Sequence, residues 1–210
     1  MDISPILAFM QTENKLDCVL YMLGVKKTIV IKAYGLRFKI QRVQLTYVLA
    51  VLYNVFQKHI YNNLDVKGRT VIDVGGFIGD SAIYFASKGA RKVYSIEAYH
   101  QLAQLIRENA RLNGFEIEVI NVAISPKHEI VYPTFAPFLE ARKSGWRKNK
   151  VRGVRISNLP KADLLKINLD YDADSYIVKE MPLLKRKYRQ IYWKQHLQRA
   201  NKTIISKHAS

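Results

Sequence analysis

Thr70–Asp80, reading T-V-I-D-V-G-G-F-I-G-D, constrains the fold of this chain more than any other stretch. Thr70–Val74 is short, β-branched and apolar, as a central strand buried on both faces must be. Asp73, near its end, brings a carboxylate to the carboxyl edge of the sheet. Gly75, Gly76 and Gly79 follow at once, and Asp80 opens an apolar run, Ser81–Ser87, with the look of a helix. A tight glycine turn between a strand and a helix N-terminus lets a ligand approach the backbone closely. A second strand, Lys92–Ile96, ends in Glu97. Glu97 lies about twenty residues beyond the turn, the interval at which a βαβ nucleotide site places its ribose-binding acid.

The same spacing argues against two other nucleotide sites. A dinucleotide fold needs G-x-G-x-x-G, whereas the positions counted from Gly75 are Gly75, Phe77 and Asp80. A P-loop needs Gly-Lys-Ser/Thr at its helix start, and none is present. The plain alternative is a glycine turn in a doubly wound sheet that holds no ligand.

These residues resemble the FkbM-type family of class I S-adenosylmethionine (SAM) methyltransferases. The family pattern is close to D-V-G-A-N-I-G-D, then a strand ending in E-P or E-A, then a helix ending in N-G. This chain has Asp73–Asp80, Ile96-Glu97-Ala98 and Asn109–Gly114, with Phe77 where the family has Asn. The resemblance runs from about Ala33 to Ser125 and is patchy beyond. It implies a Rossmann-like class I methyltransferase sheet under an N-terminal β-hairpin and helix cap, with SAM as cofactor. It further implies a cofactor site of Asp73, Gly75, Gly76, Gly79, Asp80 and Glu97. Asn121 and Ala123, matching the family's N-x-A-I, would lie against the adenine. Glu97 would accept hydrogen bonds from the ribose hydroxyls, and Asp73 and Asp80 would orient the loop or meet the amino acid end.

Residues 1–64 form the expected cap segment. Asp2–Leu23 is expected to be helical in part, Thr28–Lys32 and Leu36–Ile40 form two strands around Tyr34-Gly35, and Val43–His59 has a helical apolar period. Residues 65–200 form the expected SAM-binding domain. In it the helix after Glu97 stops at Asn113-Gly114, Glu116–Ile124 reads as a third strand, and His128–Thr134 as part of a small hairpin. Residues 201–210 read as a basic tail, and the C-terminus looks too short for the last helix and two strands of a full methyltransferase sheet.

Beyond Ser125 the family pattern erodes. Ala162–Ile167 is a buried strand, but the following L-K-I-D-V-E-G becomes Leu165-Lys166-Ile167-Asn168-Leu169-Asp170-Tyr171. A later strand resembles one that ends in E-x-H, with Lys194 in place of the acid and His196 kept. Asp170 and His196, expected at the carboxyl edge of their strands, are the candidate catalytic bases, and a structural role is open for each. The family methylates hydroxyls of sugars and other small molecules, so a small-molecule or glycan acceptor is what the resemblance implies.

Charge raises a second acceptor class. The net charge is +17, and it is uneven: residues 1–140 hold 16 Lys/Arg against 12 Asp/Glu, and residues 141–210 hold 18 against 5. Such a concentration attracts polyanions. Arg142, Lys143, Arg147, Lys148, Lys150 and Arg152 surround Trp146, a set suited to stacking on a base while holding phosphate. An RNA or DNA methyltransferase is therefore one alternative, and a catalytically inactive SAM-fold binding protein is another. Cys18 is the single cysteine, which excludes an intrachain disulfide and a Cys-based metal site; no metal site is expected. No apolar run is long enough for a transmembrane segment, and the expected location is cytoplasmic.

Overall fold

The computed structural model of the chain describes residues 2–126, 128–131, 150–169, 171–195 and 202–207. Two short helices, α1 (Ser4–Met10) and α2 (Lys15–Met22), lead into an antiparallel hairpin of β1 (Thr28–Ala33) and β2 (Leu36–Gln41). Tyr34 and Gly35 both have positive φ, 57° and 71°, so the two-residue turn follows the strands' right-handed twist. Helix α3 (Leu45–Leu52) then passes into a π-turn, Tyr53–Gln57. One α-helix was expected over Val43–His59. The wider turn resets the period, so that Val55 is buried and the Phe56 ring meets Tyr34, Phe38 and Tyr84.

The main unit follows as β3 (Thr70–Val74), α4 (Asp80–Ser87), β4 (Lys92–Ile96), α5 (His100–Leu112) and β5 (Glu118–Ile120). A small second sheet comprises β6 (Ala123–Ile124), β7 (Ile130–Val131) and β8 (Val151–Val154). The chain returns to the main sheet with β9 (Leu164–Ile167), α6 (Tyr171–Lys187), β10 (Gln190–Gln195) and β11 (Lys202–Lys207). Strand order in this sheet is β5-β4-β3-β9-β10-β11. The first five are parallel and β11 is antiparallel. Strand order reverses between β3 and β9, which opens a crevice at their carboxyl ends.

Both faces of the sheet are covered. Val71, Val93, Leu164 and Tyr192 pack with Tyr61, Tyr84 and Phe85 on one side. Ile72, Val74, Leu165, Ile167, Ile191 and Trp193 pack with Ile177 and Leu184 of α6, and with Tyr188 just after it, on the other. All five residues of β3 are buried, as a central strand requires.

Three segments differ from the sequence expectation. The strand expected over Glu116–Ile124 is two strands in different sheets, because the Asn121 side chain turns back to the carbonyls of Glu97 and Ala98 and breaks the ladder. Of the expected His128–Thr134 strand, Ile130–Val131 pairs with β8 among the described residues. Lys202–Lys207, grouped with a basic tail by charge, is β-branched at Thr203, Ile204 and Ile205 and pairs with β10 along its whole length. The sheet thus closes with one antiparallel edge strand. Among the described residues no helix is long and apolar enough to cross a membrane.

Candidate functional site

The site forms where the β3–α4 loop, the end of β4 and the end of β9 meet. Gly75 and Gly76 both donate to the Ile96 carbonyl, at 3.0 and 3.1 Å, which folds the loop onto β4. The glycines are required by close packing of the protein on itself. A Cβ on Gly75 would lie 2.0 Å from the Asn168 carbonyl oxygen, and one on Gly76 would lie 2.2 Å from Ser95 Oγ and 2.8 Å from Ile106 Cδ1. Gly79, at φ +91°, abuts Ile106 and caps α4.

Glu97 is buried at 6% exposure, and each carboxylate oxygen accepts one backbone N–H: Oε2 from Phe77 at 2.9 Å, Oε1 from Tyr99 at 2.8 Å. Burial pushes this carboxyl up to about 7, although both N–H donors favour its charged form. Each oxygen keeps a lone pair for a further donor. Asn121 fixes the turn from behind by donating to the carbonyls of Glu97, at 2.7 Å, and Ala98, at 3.0 Å. Ala123 is buried and registered with Gly153 of β8.

Asp73 is fully buried and does not stand as a free anion. Its Oδ1 lies 2.7 Å from Lys166 Nζ, and its Oδ2 accepts Ser81 Oγ at 2.8 Å and Ser95 Oγ at 3.5 Å. The Lys166 ammonium also donates to the Gly75 carbonyl at 3.0 Å. One cation therefore joins β3, β9 and the glycine loop. Sequence inspection assigned Lys166 no role. The available signal was a single cation inside the apolar run Leu164–Ile167, at the strand position that also carries Asp73 in β3.

Asp80 is buried in the first turn of α4, and burial raises its carboxyl to about 7 against the opposing pull of Lys166. Its own N–H and that of Ser81 donate to it. Tyr61, from the cap side, has its phenol pushed well up by burial and by the Asp80 charge. Asp73, Asp80, Glu97 and the three glycines are thus gathered at the carboxyl ends of β3 and β4, and Asn121 joins them through the Glu97 turn, with Ala123 two residues on in β6. Asp170 and His196 lie outside the described residues, as do Arg142, Lys143, Arg147 and Lys148. Lys150 and Arg152 are exposed on and beside β8.

A cap residue completes the loop. Phe77 has φ 51°, a left-handed conformation that costs a bulky side chain about 1–2 kcal/mol. Its ring meets Tyr47 of α3 edge-on, with centroids 5.3 Å apart. Buried Asn109 on α5 ties the same loop to the cap: its Nδ2 donates to the Ile78 carbonyl at 2.8 Å and the Lys39 carbonyl at 3.1 Å, and its Oδ1 accepts Lys39 N–H at 2.6 Å.

A strand order reversing beside a glycine loop, with an acid closing the second strand, decides the architecture. The fold is that of the class I methyltransferases. No protein-family model matches the chain. It is 35% identical over 92 residues to protein arginine N-methyltransferase 1.1 of Arabidopsis thaliana, covering 43% of this chain and 23% of that protein. It is 42% identical over 48 residues to uncharacterized protein 158B of Sulfolobus islandicus rod-shaped virus 1, covering 23% of this chain and 30% of that one. The chain spans less than a third of the length of these curated relatives. Among solved structures, the M. jannaschii tRNA m1G37 methyltransferase superposes with a TM-score of 0.49 at 15% identity, over 81% of this chain and 44% of that one. The finer FkbM resemblance rests on the motifs quoted above.

Proposed function

We propose that this chain is a SAM-dependent methyltransferase whose donor pocket is the crevice between the Gly75–Gly79 loop and the Glu97–Tyr99 turn. The observation that carries this reading is the placement of Glu97. Two backbone N–H groups hold its carboxylate against the glycine loop while a lone pair stays available on each oxygen. Residue by residue the pocket fits SAM, which supplies a methyl group on a positively charged sulfur when bound. Glu97 accepts the ribose hydroxyls, and Asn121 keeps the Glu97–Ala98 turn in place behind it. Asp80, which has no ion-pair partner among the described residues, sets negative charge near the cationic end of the donor. Asp73, already matched by Lys166, orients the loop. Ala123 borders the adenine. Asp170 and His196 are the proposed bases that take the acceptor's proton.

The acceptor is proposed to be a nucleic acid, RNA foremost. Exposed cations continue from Arg152 and Arg155 to Lys161 and along α6 at Lys179, Lys185 and Arg186. Such a surface attracts a phosphate backbone. The plant relatives are named as arginine methyltransferases, but a cationic peptide would meet repulsion on this surface. A small-molecule or glycan hydroxyl is the second reading, favoured by the FkbM-like motifs.

Calorimetric titration with S-adenosylhomocysteine tests the donor pocket: binding by the native protein that is lost in Glu97→Ala is the expected result. Absence of binding to the native protein would refute the methyltransferase reading. Transfer of labelled methyl from SAM to total RNA, set against transfer to a panel of sugars, then separates the two acceptor classes.

A further inference from the structure

The crevice at the β3/β9 reversal has two lips. The proposed donor pocket uses the β3 and β4 lip. The carboxyl ends of β9 and β10 form the other, and its described residues include Asn168, Leu169, Lys194 and Gln195. Tyr192 is registered with Lys166, and side chains alternate along a strand, so Lys194 shares the face of Tyr192 and Lys166 one pleat nearer the edge. That face also carries Asp73 and the glycine loop.

The two lysines differ in their partners. Lys166 is fully buried and satisfied by Asp73 and the Gly75 carbonyl. Lys194 is half-buried, yet among the described residues no carboxylate pairs with its ammonium. Desolvating a cation costs free energy until an anion meets it. Burial and then the like charge of Lys166 both push the Lys194 ammonium below its ordinary range. An anion arriving at the open lip would relieve both. Lysine binds a phosphate oxygen as a point charge, and the exposed cations of β8 and α6 draw a phosphate-bearing acceptor to this surface.

We propose that Lys194 is the anion-recognising residue of the acceptor lip, and that the acceptor presents a phosphate there, beside the atom to be methylated. This deepens the methyltransferase reading and rests on it for the role of the lip. The phosphate is a backbone diester of RNA or the monoester of a small phosphorylated sugar, and one experiment distinguishes the two.

Binding of an oligouridine ten-mer, of ribose 5-phosphate and of ribose is measured with saturating S-adenosylhomocysteine present. The proteins are native, Lys194→Met and Lys194→Arg. Met keeps the aliphatic stem and removes the charge; Arg keeps the charge and cannot serve as a base. At least one phosphate probe is expected to bind native protein and to weaken about ten- to a hundred-fold in Lys194→Met. Lys194→Arg should stay within a few-fold of native, and ribose should bind no variant differently from another. Loss with the ten-mer alone marks the diester, and loss with ribose 5-phosphate marks the monoester. Equal binding of both probes by Lys194→Met and native protein overturns the proposal, as does absence of phosphate-probe binding to native protein. An Arg variant as weak as Met overturns it too. Each protein is titrated with S-adenosylhomocysteine alone. Failure of the native protein in that titration refutes the donor-pocket reading, whereas unchanged donor binding beside unchanged phosphate binding refutes only the role of Lys194.

Discussion

Lys166→Met isolates the interaction that holds the two lips together. In the native protein the Lys166 ammonium and Asp73 carboxylate are 2.7 Å apart, with side-chain exposures of 2% and 0%. Removing the ammonium leaves Asp73 buried as an anion with two serine hydroxyls for company, and strips the Gly75 carbonyl of its donor. Breaking a buried pair from one side costs about 3–5 kcal/mol, a large part of the 5–15 kcal/mol that keeps a typical domain folded. Adding Asp73→Asn removes the stranded charge, and the double variant should be more stable than Lys166→Met alone. Equilibrium urea unfolding at pH 7.5 checks this, with the fluorescence of buried Trp193 as one probe. A Lys166→Met variant within about 1 kcal/mol of native at pH 7.5, or additive effects of the two substitutions, would refute the reasoning.

Glu97 and Asp80 both have folded-state values raised to about 7, so the folded chain holds protons that the unfolded chain has released. Their contribution to stability is accordingly present below about pH 4 and lost as pH rises to about 7; Glu97→Gln with Asp80→Asn should flatten that decline in a series of thermal melts. Affinity for S-adenosylhomocysteine should increase as pH rises through about 7, where Glu97 becomes the better acceptor and Asp80 gains its charge, and Glu97→Gln with Asp80→Asn should abolish the trend in calorimetry. Gly76→Ala must displace Ser95 Oγ and Ile106, for a loss of about 1–3 kcal/mol; Gly114→Ala, at φ +71° in open space, should cost about 1 kcal/mol by the same denaturant assay. Asn109→Ala removes three hydrogen bonds between the glycine loop, α5 and β2, and should cost about 2–4 kcal/mol in urea unfolding while speeding hydrogen exchange at Lys39.

The β3–β4 lip was readable from sequence because its constraints are local. A five-residue apolar strand, a glycine turn and a helix start lie within Thr70–Ser87, and every one of them forms as expected. Glu97 is likewise fixed by the end of the next strand. What could not be read is contact between distant segments. Asn109 and Asn113 look like the end of a helix, and they are, but their side chains also bind the backbone of Lys39 and Arg37 on the edge of β2. The match is geometric: four residues of helix advance about 6 Å and two residues of strand about 6.8 Å. Nothing in either segment announces the other. Lys166 is similar, since its partner sits 93 positions earlier and only the register of β3 with β9 brings them together.

Phe77 shows why a departure from a motif need not weaken a site. The FkbM-type motif that this loop resembles holds Asn here, a residue that tolerates left-handed backbone, and the Phe77 backbone has that conformation at φ 51°. The loop geometry is therefore imposed by its surroundings: Gly75 and Gly76 on the Ile96 carbonyl, Phe77 N–H on Glu97, and Asn109 on Ile78. With the backbone so determined, the position accepts Phe, whose ring contacts Tyr47 and packs, partly buried, against the cap. Part of the loop's support thus comes from α3. The cap thereby becomes a structural element of the proposed donor pocket as well as the cover of the fold. On the opposite lip, Asn168 and Lys194 stand at the ends of β9 and β10, where the acceptor is proposed to sit. On that proposal, change there alters what is recognised, while change at Phe77 alters how the same backbone is held.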